Sequence, residues 1–127
     1  MSADAAGLLF MVAAVTVESA AQLALKVGAT GGASLQSGRF RHFSDTLPFA
    51  SAPAAWITAG VAGYAVVIAF YTAALHRLDL SVAFPVGSLC FVGVALLSRF
   101  LLGEAVGRAR WAGILCIVAG ASLVALK

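Results

Sequence analysis

Ala5–Leu25 reads AAGLLFMVAAVTVESAAQLAL, an apolar run of 21 residues in which Glu18 is the only ionisable side chain. At about 1.5 Å per residue, a helix of that length spans roughly 31 Å, close to the hydrocarbon thickness of a bilayer. A carboxylate at that depth costs at least about 2.5–3.5 kcal/mol, so it is expected to face protein or a wet cavity. Gln22 and Lys26 follow at four-residue intervals, which puts all three on one side of the helix. A single polar stripe on a membrane helix points to binding or movement of a polar group at membrane depth.

The rest of the chain carries the same signal. Of 127 residues, 62% are hydrophobic and only 10% charged, against about 25% charge in a soluble domain, so an integral membrane protein is expected. Spans are expected at about 5–27, 54–75, 81–102 and 109–126, with residues 1–127 forming one transmembrane domain. Ser51 and Pro53 suit the start of the second span. The connections His76–Leu80 and Gly103–Arg110 are short, which forces neighbouring helices to be antiparallel. The fold class is therefore an all-α membrane protein with four transmembrane helices in an up-down bundle. The N-terminus has Asp4 as its only charged side chain and lacks the cationic start of a signal peptide, so the first span is expected to be retained.

The first connection, Gly28–Pro53, is longer. Its stretch RFRHFSDTLPF places Phe40, Phe43 and Leu47 at helical spacing, with Arg39, Arg41 and His42 able to meet headgroups. That pattern is read either as a short interfacial helix or as a loop with chance phenylalanines. Its glycines are not a phosphate loop, because no GK[ST] follows them.

Several function classes drop out. The eight cations form no dense cluster interleaved with aromatics, so nucleic acid is not expected as a partner. Cys90 and Cys116 fall inside apolar spans, where a small buried hydrophobe is the ordinary reading. No nucleophile–base set, paired carboxylates, metal motif or cofactor motif is present, so an enzyme is not expected and Glu104 reads as a solvated charge beside basic residues.

The third span contains SVAFPVGSLCFVG, with Pro85 inside it. A proline there releases a backbone carbonyl and bends the helix, and Gly87 and Gly93 are expected to loosen it further. Pro85 and Gly87 read either as a fixed kink or as a hinge beside a binding cavity. Gly60 and Gly63 in the second span, and Gly113 and Gly120 in the fourth, are small residues of the kind that bring membrane helices together. Such glycines serve packing within a subunit or between subunits, and Gly113 and Gly120 are taken as a candidate dimer interface.

These strings resemble two related families. Glu18 eight residues before Lys26 resembles the first helix of the small multidrug resistance transporters, in which a membrane glutamate binds a cation or proton, and GILCIVAGASLV resembles their dimerising helix. Phe84 and Gly87 stand where the third span of that family carries an aromatic cage. VAFPVGSLCFVGVAL followed by GEAVGRARWAGILCIVAG is more similar to the small subunits of the aminoarabinose-phosphoundecaprenol flippase, in the drug/metabolite transporter superfamily. Ser19, Gln22, Leu23 and Lys26, and the string ALHRLDLSVAF, resemble the same subunits. Glu18 stands where those subunits carry a small residue, which leaves the head group open.

The resemblance implies a flippase subunit of the bacterial inner membrane that moves a phosphoprenol-linked amino sugar or related anionic glycolipid, working as a homo- or heterodimer with a related four-helix subunit. Glu18, Gln22, Lys26, Phe84, Ser88 and Arg99 are the candidate substrate-binding residues, with Lys26 and Arg99 placed at span ends to hold phosphate while their stems stay in apolar surroundings. The other functional reading is proton-coupled export of a small organic cation through Glu18. A structural reading also stands, in which Glu18 pairs with a Lys or Arg of a neighbouring helix. Lys26, Arg39, Arg41, Arg99, Arg108 and Arg110 flank one side of the membrane and only Arg77 and Lys127 the other. The positive-inside rule then places both termini outside the cytoplasm.

Overall fold

The computed structural model describes residues 3–31 and 52–125. Their regular elements are all helices: α1 (Ala3–Ala29), α2 (Pro53–Leu75), α3 (Leu80–Gly87), α4 (Cys90–Leu101) and α5 (Arg108–Ala125). The segment read as an interfacial helix lies outside the described residues. Three apolar stretches are long enough to cross a membrane, Ala5–Ala29, Pro53–Leu75 and Leu80–Leu101, and the 18-residue α5 is the fourth helix. With Leu9, Val61, Ile68, Leu115 and Leu123 all more than half exposed, the outer surface is that of a protein solvated by lipid, and the chain is an all-α membrane protein.

Each helix begins and ends for local reasons. Pro53 occupies the first turn of α2, where its missing N–H costs nothing. α1 ends at Ala29, and two residues on Gly31 turns the chain at a φ of 59°, open to glycine at little cost. Lys26 lies in the last turn of α1, where a cation complements the helix dipole.

Glycines set how closely α1 and α2 approach. A Cβ on Gly60 would come within 2.6 Å of Leu25 Cγ and 3.0 Å of the Ala21 carbonyl, and one on Gly63 within 2.9 Å of Ala21 Cβ. Gly28, late in α1, sits against Ile57 and Pro53 at the start of α2, and Gly7 sits against Leu78 just beyond its end. The two helices are therefore antiparallel. Gly60 and Gly63 serve packing within the chain.

The third span runs back alongside α1. Met11 packs with Ala74 and Ala83 at one end of the bundle, and Val27 with Leu102 at the other, each cluster filled by half-buried neighbours that include Tyr71 and Trp56. Midway between them, Ser19 meets Gly93. α5 rests mainly on α3 and buries Ile114 and Ala121, one heptad apart.

The third span is not one bent helix. α3 stops at Gly87 and α4 starts at Cys90, with Ser88 and Leu89 forming a tight turn that stays in the right-handed region. Leu89 N–H donates to Val86 O and Phe91 N–H to Ser88 O, both three residues back. Pro85 lies within α3, and the Ser88 hydroxyl donates to the Pro85 carbonyl at 2.6 Å. The side chain thus serves an oxygen that the turn deprives of its usual helical donor. Gly93, read from sequence as loosening the span, lies inside the helical run of α4. It is the point where α1 comes close, because a Cβ there would collide with the Ser19 hydroxyl.

Candidate functional site

Glu18 projects from the middle of α1 toward the break in the third span. Its carboxylate lies beside the Cys90 thiol, at the first residue of α4, and within electrostatic range of the Tyr71 phenol on α2. A thiol and a phenol both carry a hydrogen that a carboxylate can accept. α1 and α4 thus meet at one acidic group, with the phenol of α2 within its electrostatic range.

Packing around that meeting point is close. Ser19, 3% exposed, donates its hydroxyl to Val15 O at 2.8 Å and to Cys90 O at 3.3 Å, joining α1 to the first turn of α4. A Cβ on Gly87 would lie 3.3 Å from the Tyr71 hydroxyl and 3.7 Å from Met11. Tyr71 in turn sits edge-on to Phe84, with ring centroids 6.5 Å apart and planes at 73°. Phe84 is otherwise largely exposed.

The charge of Glu18 is not neutralised by a cation of the described chain. Among the described residues the salt bridge is Lys26 Nζ to Glu104 Oε2, at the far end of the same stripe, with both side chains about one-third exposed. Eight residues separate Lys26 from Glu18, about 12 Å along the helix. The pairing of Glu18 with a neighbouring Lys or Arg is therefore not made within these residues. Glu104, read from sequence as a solvated charge, instead holds Lys26. Gly103, at φ 68°, turns the chain so that this happens.

The remaining candidates separate into groups. Gln22 is half-buried, between Glu18 and Lys26 on the stripe. Arg99 is exposed in the last turn of α4. Ser88 is half-buried and its hydroxyl is engaged by Pro85. Nothing lies within 4 Å of a Cβ built on Gly113 or Gly120, so that side of α5 is open. Sequence reading missed Tyr71 and Cys90 as neighbours of Glu18. They lie 53 and 72 positions along the chain from it, and no spacing rule connects separate spans.

A small bundle of membrane helices with one uncompensated carboxylate at the centre of its first span has the layout of a membrane transporter. The profile of the EamA-like transporter family matches residues 2–126, and the chain belongs to that family. It is 30% identical over 123 residues to the probable 4-amino-4-deoxy-L-arabinose-phosphoundecaprenol flippase subunit ArnF of Aeromonas salmonicida, covering 95% of this chain and 80% of that protein. It is 42% identical over 50 residues to the probable flippase subunit ArnE, named for the same lipid, of Pseudomonas fluorescens, covering 39% of this chain and 44% of that protein. No solved structure matches it. The chain is a multi-pass protein of the bacterial inner membrane.

Proposed function

We propose that this protein is one subunit of a flippase that carries a lipid-linked amino sugar, or a related phosphate-bearing glycolipid, across the inner membrane. The observation that carries the reading is the placement of Glu18 at membrane depth beside Cys90 and Tyr71, with no cation of the described residues paired to it. An amino sugar offers an ammonium to such a carboxylate and hydroxyls to the phenol and to Gln22. The relatives named for an aminoarabinose lipid support the same substrate class.

The path then has a simple division of labour. Glu18 receives the polar head, Tyr71 and Phe84 flank it with aromatic surface, and the apolar outer faces of the helices take the lipid tail. The break at Ser88–Leu89 interrupts the regular helical hydrogen-bond ladder next to the carboxylate, which membrane proteins tolerate beside protein or a cavity. A second subunit of the same architecture is the proposed partner, seated on the open side of α5 that carries Gly113 and Gly120. The positive-inside bias favours one orientation, so an antiparallel partner would be a different chain with the reverse bias.

The uncompensated charge of Glu18 equally favours a second reading, exchange of protons for a small organic cation. One substitution with two assays separates them. Glu18→Gln keeps shape and polarity but cannot ionise, so translocation of a fluorescent lipid-linked amino sugar in proteoliposomes is expected to fall to background. Thermal unfolding is expected to change by no more than about 1 kcal/mol. Undiminished lipid translocation by Glu18→Gln would overturn the role of the charge. Protonophore-sensitive uptake of a quaternary amine, without lipid movement, would establish the second reading in place of the first.

A further inference from the structure

The end of the bundle away from Lys26 holds a feature that the proposed path does not use. A cavity of about 300 Å³ lies between the start of α1 and the α2–α3 connection, lined by Leu8, Arg77, Leu78, Asp79 and Val82. Its lining contains one cation and one anion, two positions apart in the chain, and neither is in a salt bridge among the described residues. The Arg77 guanidinium lies over the Phe10 ring, 5.9 Å from its centroid, which rests the arginine on α1 while its donors stay exposed. Asp79 immediately precedes α3 with an extended backbone, and its side chain makes no capping hydrogen bond. Its backbone carbonyl, not its carboxylate, accepts from Val82 and Ala83.

Leu8, Leu78 and Val82 make the rest of the wall apolar. The geometry is tightly held, because a Cβ on Gly7 would come within 2.7 Å of Leu78 Cγ and 3.1 Å of Arg77 Cβ. Leu8 is ten residues from Glu18, about 15 Å along α1, so the cavity is separate from the Glu18 site. Its volume is at the small end for ligand pockets and suits a head group better than a whole lipid.

We infer that this cavity is a second binding site, for the head group of a lipid bearing both a phosphate and a primary amine. The planar fork of Arg77 matches phosphate oxygens, the Asp79 carboxylate takes the ammonium, and the apolar wall receives the first carbons of the tail. A phosphate without an amine would meet the repulsion of Asp79 as well as the attraction of Arg77. The inference rests on the proposal that the substrate is lipid-linked, and adds a place where its head group is held at the membrane surface before or after crossing.

The test uses the full chain in detergent micelles, with lipid binding counted by native mass spectrometry. The probes are phosphatidylethanolamine, phosphatidylglycerol and water-soluble phosphoethanolamine. Phosphatidylethanolamine is expected to bind about tenfold more tightly than phosphatidylglycerol, and Arg77→Gln to weaken it by about tenfold or more. Asp79→Asn is expected to erase the preference between the two lipids. Equal binding of phosphatidylethanolamine by Arg77→Gln and the unaltered chain would overturn the site, as would a preference that survives Asp79→Asn. Phosphoethanolamine competing as well as its lipid form would also overturn it, since the apolar wall would then contribute nothing. A chain that shows the preference but moves no lipid-linked amino sugar defeats the flippase reading alone. A chain that moves the lipid while Arg77→Gln binds normally defeats this site alone.

Discussion

Lys26 Nζ stands 2.5 Å from Glu104 Oε2, joining the last turn of α1 to the connection that follows α4. The Glu104 backbone N–H also reaches back to Ser98 O at 3.2 Å, so the glutamate is held at both ends. This pair closes the end of the bundle that carries Val27 and Leu102 in its core. It also means that the cation best placed to meet a substrate phosphate at that end is already neutralised.

Removing the carboxylate should therefore do two things at once. Glu104→Gln is expected to cost about 1 kcal/mol or less in stability, because the pair is partly exposed, while strengthening the binding of an anionic lipid by freeing the Lys26 ammonium. Lys26→Gln should cost the same stability without that gain. Detergent unfolding together with lipid binding checks both; a Glu104→Gln protein that binds anionic lipid no better would show that Lys26 does not reach substrate.

Gly93 and Ser19 form the tightest approach between α1 and α4. Gly93→Ala is expected to destabilise the protein by about 1–3 kcal/mol through overpacking against the Ser19 hydroxyl. Adding Ser19→Ala should recover part of that loss, because the hydroxyl clash is gone while the Cβ of residue 19, 3.1 Å away, still has to give by a few tenths of an ångström. Denaturation midpoints of the two single variants and the double variant measure the coupling. Simple additivity would mean that this contact is not made.

The glycines of α2 and α5 should behave oppositely. Gly60→Ala is expected to destabilise the monomer, because the new methyl meets the Ala21 carbonyl as well as Leu25. Gly113→Ala and Gly120→Ala meet nothing within 4 Å, and alanine favours a helix by up to about 1 kcal/mol. Beyond that small helix gain, their expected effect is on association, read by cross-linking yield in native membranes. Unchanged association in both would remove the proposed interface from this side of α5.

Orientation is checked by single cysteines near residue 2 and within residues 39–44, in a background lacking Cys90 and Cys116. The cation bias predicts that an impermeant reagent outside intact cells labels the first and spares the second. Equal labelling of both would mean dual insertion, and a partner of identical sequence would then suffice.

Helices and the central carboxylate were legible in the sequence because both depend on local quantities. Hydropathy summed over some twenty residues marks a span wherever it lies in the fold, and one charge inside such a run stands out without any neighbour being known. The three long apolar stretches and the Glu18, Gln22, Lys26 stripe needed nothing more. Pro85 announced an irregularity by the same local logic.

Tertiary structure decided what those features touch. The break fell at Ser88–Leu89, beyond the proline, with the Ser88 hydroxyl and a three-residue turn taking up the backbone groups. Tyr71 and Cys90 became neighbours of Glu18, and Glu104 the partner of Lys26, across separations that no periodicity in one helix can encode. Glycines alike on paper diverged for the same reason. Gly60 and Gly93 meet another helix and Gly113 and Gly120 meet open space, because a missing side chain acquires meaning only from the atoms brought up against it.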